Sequence, residues 1–328
     1  MNGRIRTRIA GTGKAVPSKV LTNDDLSKIV ETSDEWISAR TGIRERRILE
    51  EGRSTSDLAA EAARAACAKA EIDPKELDAI ICATISPDMP MPAVAVSVQQ
   101  KIGATCAAFD VSAACAGFIY GLAIGDGLIQ TGGFKKVCVI GVEILSRLLD
   151  WTDRNTCVLF GDGAGAAILT HSTDERGVLS THLFADGSGV PMLNIPAGGS
   201  QLPANEKTIA AKQHFVKMNG KAVFTNAVKN ISRASQIALE TNKMTAGDVD
   251  VVVAHQANLR ILEGVAERTG LPIEKFYLNI HKYGNTSSAS IPIALDEAIA
   301  EGRVKAGDRV LMCALGAGLS WGSAMVQF

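Results

Sequence analysis

The chain has 328 residues, 46% of them apolar and 21% charged. That is a globular composition, long enough for two packed domains or one duplicated unit. Its 34 Lys and Arg balance 35 Asp and Glu, so charge gives no reason to expect nucleic-acid binding. No run approaches the roughly 18 apolar residues of a membrane span, and the opening MNGRIRTRIAGTGKAVP has no apolar signal core. The expectation is a cytoplasmic protein with no membrane segment.

In chain order, the first strong helical pattern is TSDLAAEAARAACAKA, which leads through EIDPKELD into the apolar run AIICATI. The β-type run AAFDVS then changes to the helical GFIYGLAIGDGLIQ, followed by a Gly turn and the buried strand KVCVIGVE. FGDGAGAAILT adds a Gly-rich turn and a further strand. The same order then recurs. FTNAVKNISRASQIALE leads through NKMTAGDVD into VVVAHQA, SIPIALDEAIAEGRVKAGDRVLMCALG repeats the helix-turn-strand plan, and GAGLSWGSAMVQF ends the chain. This predicts an internal duplication of units of roughly 150 residues. The join is expected near HSTDERGVLS, dividing the chain into residues 1–174 and 175–328. Continuous apolar strands alternating with helices predict an α/β fold of mixed or parallel sheets covered on both faces. Residues 185–207, rich in Gly, Pro and Ser, read as a long surface loop.

The seven cysteines show no CxxC pair and no Cys/His metal spacing. No metal site is expected, and most of these thiols read as reduced core residues. Cys115 differs, because it sits at the strand-to-helix change among Ser112, Ala113, Ala114, Ala116 and Gly117. Small neighbours permit a tight turn with room for a substrate, and a helix N-terminus is expected to lower the thiol pKa. The alternative is a small core cysteine. His255 follows VVVA at a strand's C-terminal end, where α/β sheets place ligands, with Gln256 and Asn258 beside it. Asn285 lies in GNTSSAS, just before a helix beginning near Ser290; a cap-and-turn cluster is the plainer reading. His281 ranks below His255 because it does not end a buried strand. The turn Gly316-Ala317-Gly318 can bring a backbone N–H towards a thioester oxygen and, with the N–H of Cys115, form an oxyanion hole. GDGAGAA lacks both the GxGxxG spacing and a Walker lysine, so it is not read as a nucleotide site.

Together SAACAGF, HQANLRI, GNTSSASIP and GAGLSWG, with the N-terminal TSDEWISARTGIRERR, resemble the β-ketoacyl-acyl carrier protein synthase III family from Gly11 to the C-terminus. The resemblance implies a thiolase-like duplicated fold in five layers, α-β-α-β-α, and a homodimer. It implies that Cys115 is the acylated nucleophile, completed by His255 and Asn285. Trp36 and Arg154 then flank the adenine of coenzyme A, with Arg40 and Thr41 in the same segment, and Arg260 docks an acidic carrier protein. Met91 falls where the family often has a phenylalanine reaching into the partner subunit's acyl pocket, and with Ile85 it bears on pocket size. The family often has GGG where this chain has GAG, so the second oxyanion donor is Ala317. The implied reaction joins an acyl-coenzyme A primer to malonyl-acyl carrier protein by decarboxylative Claisen condensation, initiating fatty acid synthesis with no cofactor beyond the thioester substrates. Three other readings stay open. They are a specialised ketosynthase or acyltransferase of secondary metabolism, a degradative thiolase using Cys313 as base, and a non-catalytic protein on the same fold.

Overall fold

A computed structural model describes residues 6–174 and 176–328. Residues 1–5 and residue 175, the first of the expected second half, lie outside the described residues. The first half begins with β1 (Arg6–Ala15). An excursion follows, made of β2 (Val20–Thr22), α1 (Asn23–Leu26), α2 (Asp34–Thr41) and β3 (Glu45–Arg47). Then come α3 (Thr55–Ala70), β4 (Ala79–Ala83), α4 (Val94–Ile102), β5 (Ala107–Val111), α5 (Gly117–Gln130), β6 (Lys136–Ile144), the short α6 (Arg154–Cys157) and β7 (Asp162–Ser172). The chain crosses to β8 (Gly177–Ala185), passes β9 (Leu193–Asn194), α7 (Glu206–Ala210) and β10 (Lys217–Met218), and continues through α8 (Gly220–Asn242), β11 (Val251–Ala254), α9 (Leu259–Thr269), α10 (Ile280–Tyr283), α11 (Ser290–Ala300), β12 (Arg309–Gly316) and β13 (Ser320–Gln327).

One sheet runs β1-β7-β6-β4-β5 and the other β8-β13-β12-β11. The pairings correspond. β6 is parallel to β4 and antiparallel to β7, and β12 is parallel to β11 and antiparallel to β13. The counterpart of β5 is reduced to one parallel bridge, Val252 to Phe276. Helices α5 and α11 lie between the sheets, α3 and α4 cover the outside of the first, and α8 and α9 cover the outside of the second. This is the five-layer α-β-α-β-α arrangement. Separate apolar clusters fill the central layer and the two outer ones.

The repeated Asp before each first strand has a visible purpose. The Asp78 carboxylate accepts from the N–H groups of Lys135 and Lys136 at 2.7 and 2.9 Å, and that of Asp250 accepts from Arg309 N–H at 2.8 Å. Each staples the turn ahead of one strand to the start of its neighbour. The segment 185–207 departs from a simple surface loop. It holds a 3-10 turn (Gly187–Met192) and β9, which pairs with β10.

The halves meet through two matched elbows. A 3-10 turn, Ala114–Ala116, leads into α5, and Ser287–Ala289 leads into α11. Ala114 and Ser287 both carry left-handed backbone, φ +46° and +49°, a conformation that side chains other than Gly adopt at a cost. Each elbow packs on a glycine of the other half. A Cβ on Gly316 would lie 2.5 Å from the Cys115 nitrogen, and one on Gly141 would lie 2.2 Å from the Ser288 carbonyl oxygen. Gly141→Ala should therefore cost on the order of 1–3 kcal/mol or more, because the methyl meets backbone. Gly127→Ala, on an exposed helical position with open space around it, should gain about 0.5–1 kcal/mol. Calorimetric melting of the two variants is expected to move in opposite directions.

Candidate active site

Cys115 sits in the first elbow and is buried, at 7% exposure. The strained turn presents its sulfur between two cavities. One, of about 210 Å³, has Ile85, Leu145, Phe160, Ile195 and Val216 in its apolar wall, with Ser287 and Ala317 near the sulfur. The other, of about 140 Å³, brings in His255 and Asn285 together with Phe224 and Asn258. Burial pushes the Cys115 thiol up to about 12, against a hydrogen bond from Ser287 that favours the thiolate. This corrects the expected lowering at the helix N-terminus. In a site closed to water, desolvation outweighs the dipole, and Cys115 rests as a neutral thiol.

His255 directly follows β11, where its N–H donates to the Cys313 carbonyl at 2.8 Å. Its Nδ1 lies 2.6 Å from the Ser290 hydroxyl, which leaves Nε2 as the nitrogen available to the cavity. Burial pulls the imidazole down to about 3, so it is neutral at ordinary pH. Asn285 is held at both backbone groups, its N–H donating to the Leu159 carbonyl and its carbonyl accepting from Gly161 N–H. Its Oδ1 accepts from Ser287 N–H at 2.8 Å, which fixes the amide orientation and leaves its NH2 free to donate. The arrangement offers a thiol, a neutral imidazole and an amide in one apolar space, with no metal cluster among the described residues. Among those residues too, no helix is long and apolar enough to cross a membrane.

Other candidates separate into lining and scaffold. Gln256 is a buried strut, donating to the Ala254 and Tyr277 carbonyls and accepting from Asn279 N–H. Cys313 packs in the outer core with residues of α8 and α9, so the residue considered as a thiolase base is turned from the cavity. His281 is exposed on α10. Met91 is 82% exposed and absent from the wall around Cys115, whereas Ile85 is part of it. Leu145, Phe160, Leu193, Ile195 and Val216 were not anticipated. The only sequence hint was MLNIP, an apolar patch inside the Gly/Pro-rich stretch.

At the surface, the guanidinium groups of Arg40 and Arg154 both lie over the Trp36 ring, 4.6 and 4.8 Å from its centre. A flat group between two others makes two contacts of about 3.5 Å, roughly 7 Å in all, so the space between Arg154 and the ring holds none as it stands. Thr41 is buried, and its hydroxyl is taken up by the Ile37 carbonyl and Ile43 N–H. It shapes the segment and presents nothing to a ligand. Buried Arg46 anchors this excursion, donating to the Leu21 and Val158 carbonyls and to Asn23 Oδ1. Asn258 caps α9 and donates to the Arg40 carbonyl, which brings exposed Arg260 to the same face.

Known proteins resemble this chain along nearly its whole length. Residues 109–187 match the 3-oxoacyl-[acyl-carrier-protein] synthase III model, and residues 239–328 match that family's C-terminal model. A β-ketoacyl-[acyl-carrier-protein] synthase III of Symbiobacterium thermophilum is 52% identical, over 98% of this chain and 97% of its own. One from Caldanaerobacter subterraneus is 49% identical, over 99% and 98%. The crystal structure of 3-oxoacyl-[acyl-carrier-protein] synthase III from Aquifex aeolicus superposes with a TM-score of 0.91 at 46% identity, covering 98% of this chain and 100% of the other.

The His255 ring is expected to stay uncharged between about pH 5 and 8, since protonation waits until about 3. Long-range 1H–15N spectra of histidine-labelled protein, assigned with His255→Asn, should show one ring with unchanging shifts across that range.

Proposed function

This chain belongs to the β-ketoacyl-[acyl-carrier-protein] synthase III family of condensing acyltransferases, which initiate fatty acid synthesis, and from that premise we propose a role for each site residue. Cys115 attacks the carbonyl of an acyl-coenzyme A primer, and the oxyanion is held by the backbone N–H groups of Cys115 and Ala317. Coenzyme A leaves and the acyl chain occupies the apolar cavity beyond the sulfur. The malonyl thioester of an acyl carrier protein then enters. In the tautomer with its proton on Nε2, His255 Nδ1 accepts from the Ser290 hydroxyl, which otherwise donates to the Ser287 carbonyl, and Nε2 with the Asn285 amide donates to the thioester oxygen. As carbon dioxide departs, those two donors stabilise the enolate, whose carbon attacks the acyl-enzyme. The observation that carries this reading is the neutral, buried set Cys115, His255 and Asn285 around one cavity. It supplies donors to a transient oxyanion, and decarboxylation makes the enolate without α-proton removal.

The remaining assignments follow the same reading. The two halves, 1–174 and 175–328, share the site, the first bringing Cys115 and the second His255, Asn285 and Ala317. Trp36 and Arg154 sandwich the adenine once Arg154 moves, with Arg40 on the ring's other contact. Arg260 receives the acidic carrier protein beside exposed Phe224. The chain works as a cytoplasmic homodimer. In support, β5 is an edge strand and Phe109, Met89 and Met91 are exposed beside it. Met91 is the residue that then enters the partner's acyl pocket.

Intact mass spectrometry after incubation with acetyl-, isobutyryl- and octanoyl-coenzyme A should show an acyl adduct on wild type and none on Cys115→Ala. An adduct surviving in the variant places the nucleophile elsewhere. His255→Ala and Asn285→Ala should still be acylated but lose on the order of 100-fold or more in condensation with malonyl-carrier protein. Trp36→Ala should raise the KM for acyl-coenzyme A about tenfold, the loss of one stacked cation–π platform, with kcat little changed.

A further inference from the structure

A thiol resting neutral in a dry pocket has to release its proton when it attacks, and the buried groups around Cys115 offer a route. Glu143, at the end of β6, is fully buried and forms no salt bridge among the described residues. Its Oε2 accepts from the Ser86 hydroxyl at 2.6 Å, Ile85 N–H at 3.1 Å and the Thr84 hydroxyl at 3.3 Å. Its Oε1 faces the Ser287 hydroxyl at 3.2 Å, with Ile85 N–H longer at 3.3 Å. The same Ser287 lines one cavity wall with Cys115, close enough for its hydroxyl to favour the thiolate. Ser287 thus stands between the nucleophile, with which it shares a cavity, and a buried carboxylate, to which its hydroxyl donates. A buried carboxylate lacking a cation is costly to keep. Its place one hydroxyl away from the reacting sulfur gives that cost a function.

We infer that Glu143 is a positioning residue that takes the Cys115 proton through Ser287 during acylation. The inference rests on Cys115 being the acylated nucleophile. As the sulfur bonds to the acyl carbon, its proton passes to the Ser287 oxygen and the proton of Ser287 passes to Glu143 Oε1. The bond from the acyl carbon to the coenzyme A sulfur then breaks. Glu143 returns that proton through Ser287 to the departing coenzyme A thiolate, so acylation is proton-neutral overall. Two shifts agree with this direction of transfer. Burial raises Glu143 to about 7 against its hydrogen bonds, whereas His255 lies near 3, so the carboxylate is the better base. The titratable groups that sense its charge are Cys115 and Cys82 of β4. The turn before α11 presents it only the hydroxyls of Ser287 and Ser288.

The test is the pH dependence of single-turnover acylation by acetyl-coenzyme A, followed by intact mass for wild type, Glu143→Gln, Ser287→Ala and His255→Ala. The carboxylate must be ionised to accept, so the wild-type rate should rise with pH through about 7. In Glu143→Gln and Ser287→Ala the rate at pH 7.5 should fall on the order of 100-fold, the usual worth of a positioned base. The rise near 7 should vanish, leaving only a rise at much higher pH, where the thiol ionises unaided. His255→Ala should keep the rise near 7. A residue that only braces the pocket would change the melting temperature without moving the pH profile, so each variant is also melted. If Glu143→Gln does not fold, Ser287→Ala decides, because it cuts the same route within the cavity wall. Wild-type rates and profile in Ser287→Ala, or loss of the rise in His255→Ala instead, overturn the inference. A wild-type protein that is not acylated on Cys115 at all refutes the nucleophile and is thereby distinct from failure of the relay.

Discussion

Everything at the active site depends on two places where backbone from one half touches a glycine of the other. The Cys115 elbow closes on Gly316 at the end of β12, and the Ser288 elbow closes on Gly141 in β6. A helix start and a strand approach this closely only where no side chain intervenes. Because the contact is made twice, in opposite senses, neither half can shift without disturbing both elbows. Helices α5 and α11 are therefore clamped between the sheets. Cys115 and Ser287, in the turns that lead into them, share one cavity wall at the junction.

That clamp explains why the chemistry is assembled from distant sequence. Cys115 and Glu143 come from the first half, and His255, Asn285, Ser287 and Ala317 from the second. Each rests on a device placed by the fold. Asn285 hangs between the Leu159 carbonyl and Gly161 N–H of the first half. The ring of His255 is set by Ser290, the first residue of α11. Arg46 ties the excursion that carries Trp36 and Arg40 to the Val158 carbonyl, two residues before Phe160 of the cavity wall.

At rest neither the reacting thiol nor the imidazole is charged, and the buried carboxylate of Glu143 lies one hydroxyl away, beyond Ser287. Burial keeps the thiol protonated and the imidazole unprotonated, so no ion pair has to be broken when substrate enters. In such a low-dielectric space each fixed donor acts strongly on a developing oxyanion. Whereas Glu143 is buried, the charges of Arg40, Arg154 and Arg260 are at the rim, where Arg40 and Arg260 are exposed and Arg154 is half-buried. The apolar wall excludes water that would otherwise hydrolyse an acyl-enzyme.

Much of this was open to reading in the sequence, because local physics writes it there. Helical and strand periodicities, with the Asp that precedes β4 and again β11, revealed the duplication. The small residues around Cys115, the strand end before His255 and the polar run at Asn285 marked three cavity residues. Arg154 and Trp36 are paired by resemblance as flanking a base, and in the structure the guanidinium lies directly over the ring. Other features depended on packing between remote segments. The apolar wall from Leu145, Phe160, Ile195 and Val216, the outward turn of Cys313 and the internal engagement of Thr41 have no local signature. The Cys115 thiol was expected low from its helix N-terminus and stands high, because the protonation of a group follows its solvent access, which only the closed interface between the halves decides. Glu143 shows the same limit, since KVCVIGVE reads as plain buried strand. The sequence by itself determined which elements form and in what order, since these follow from neighbours along the chain. The tertiary structure alone decided which side chains share the pocket and in which charge state, since both depend on contacts across more than a hundred residues, as from Glu143 to Ser287.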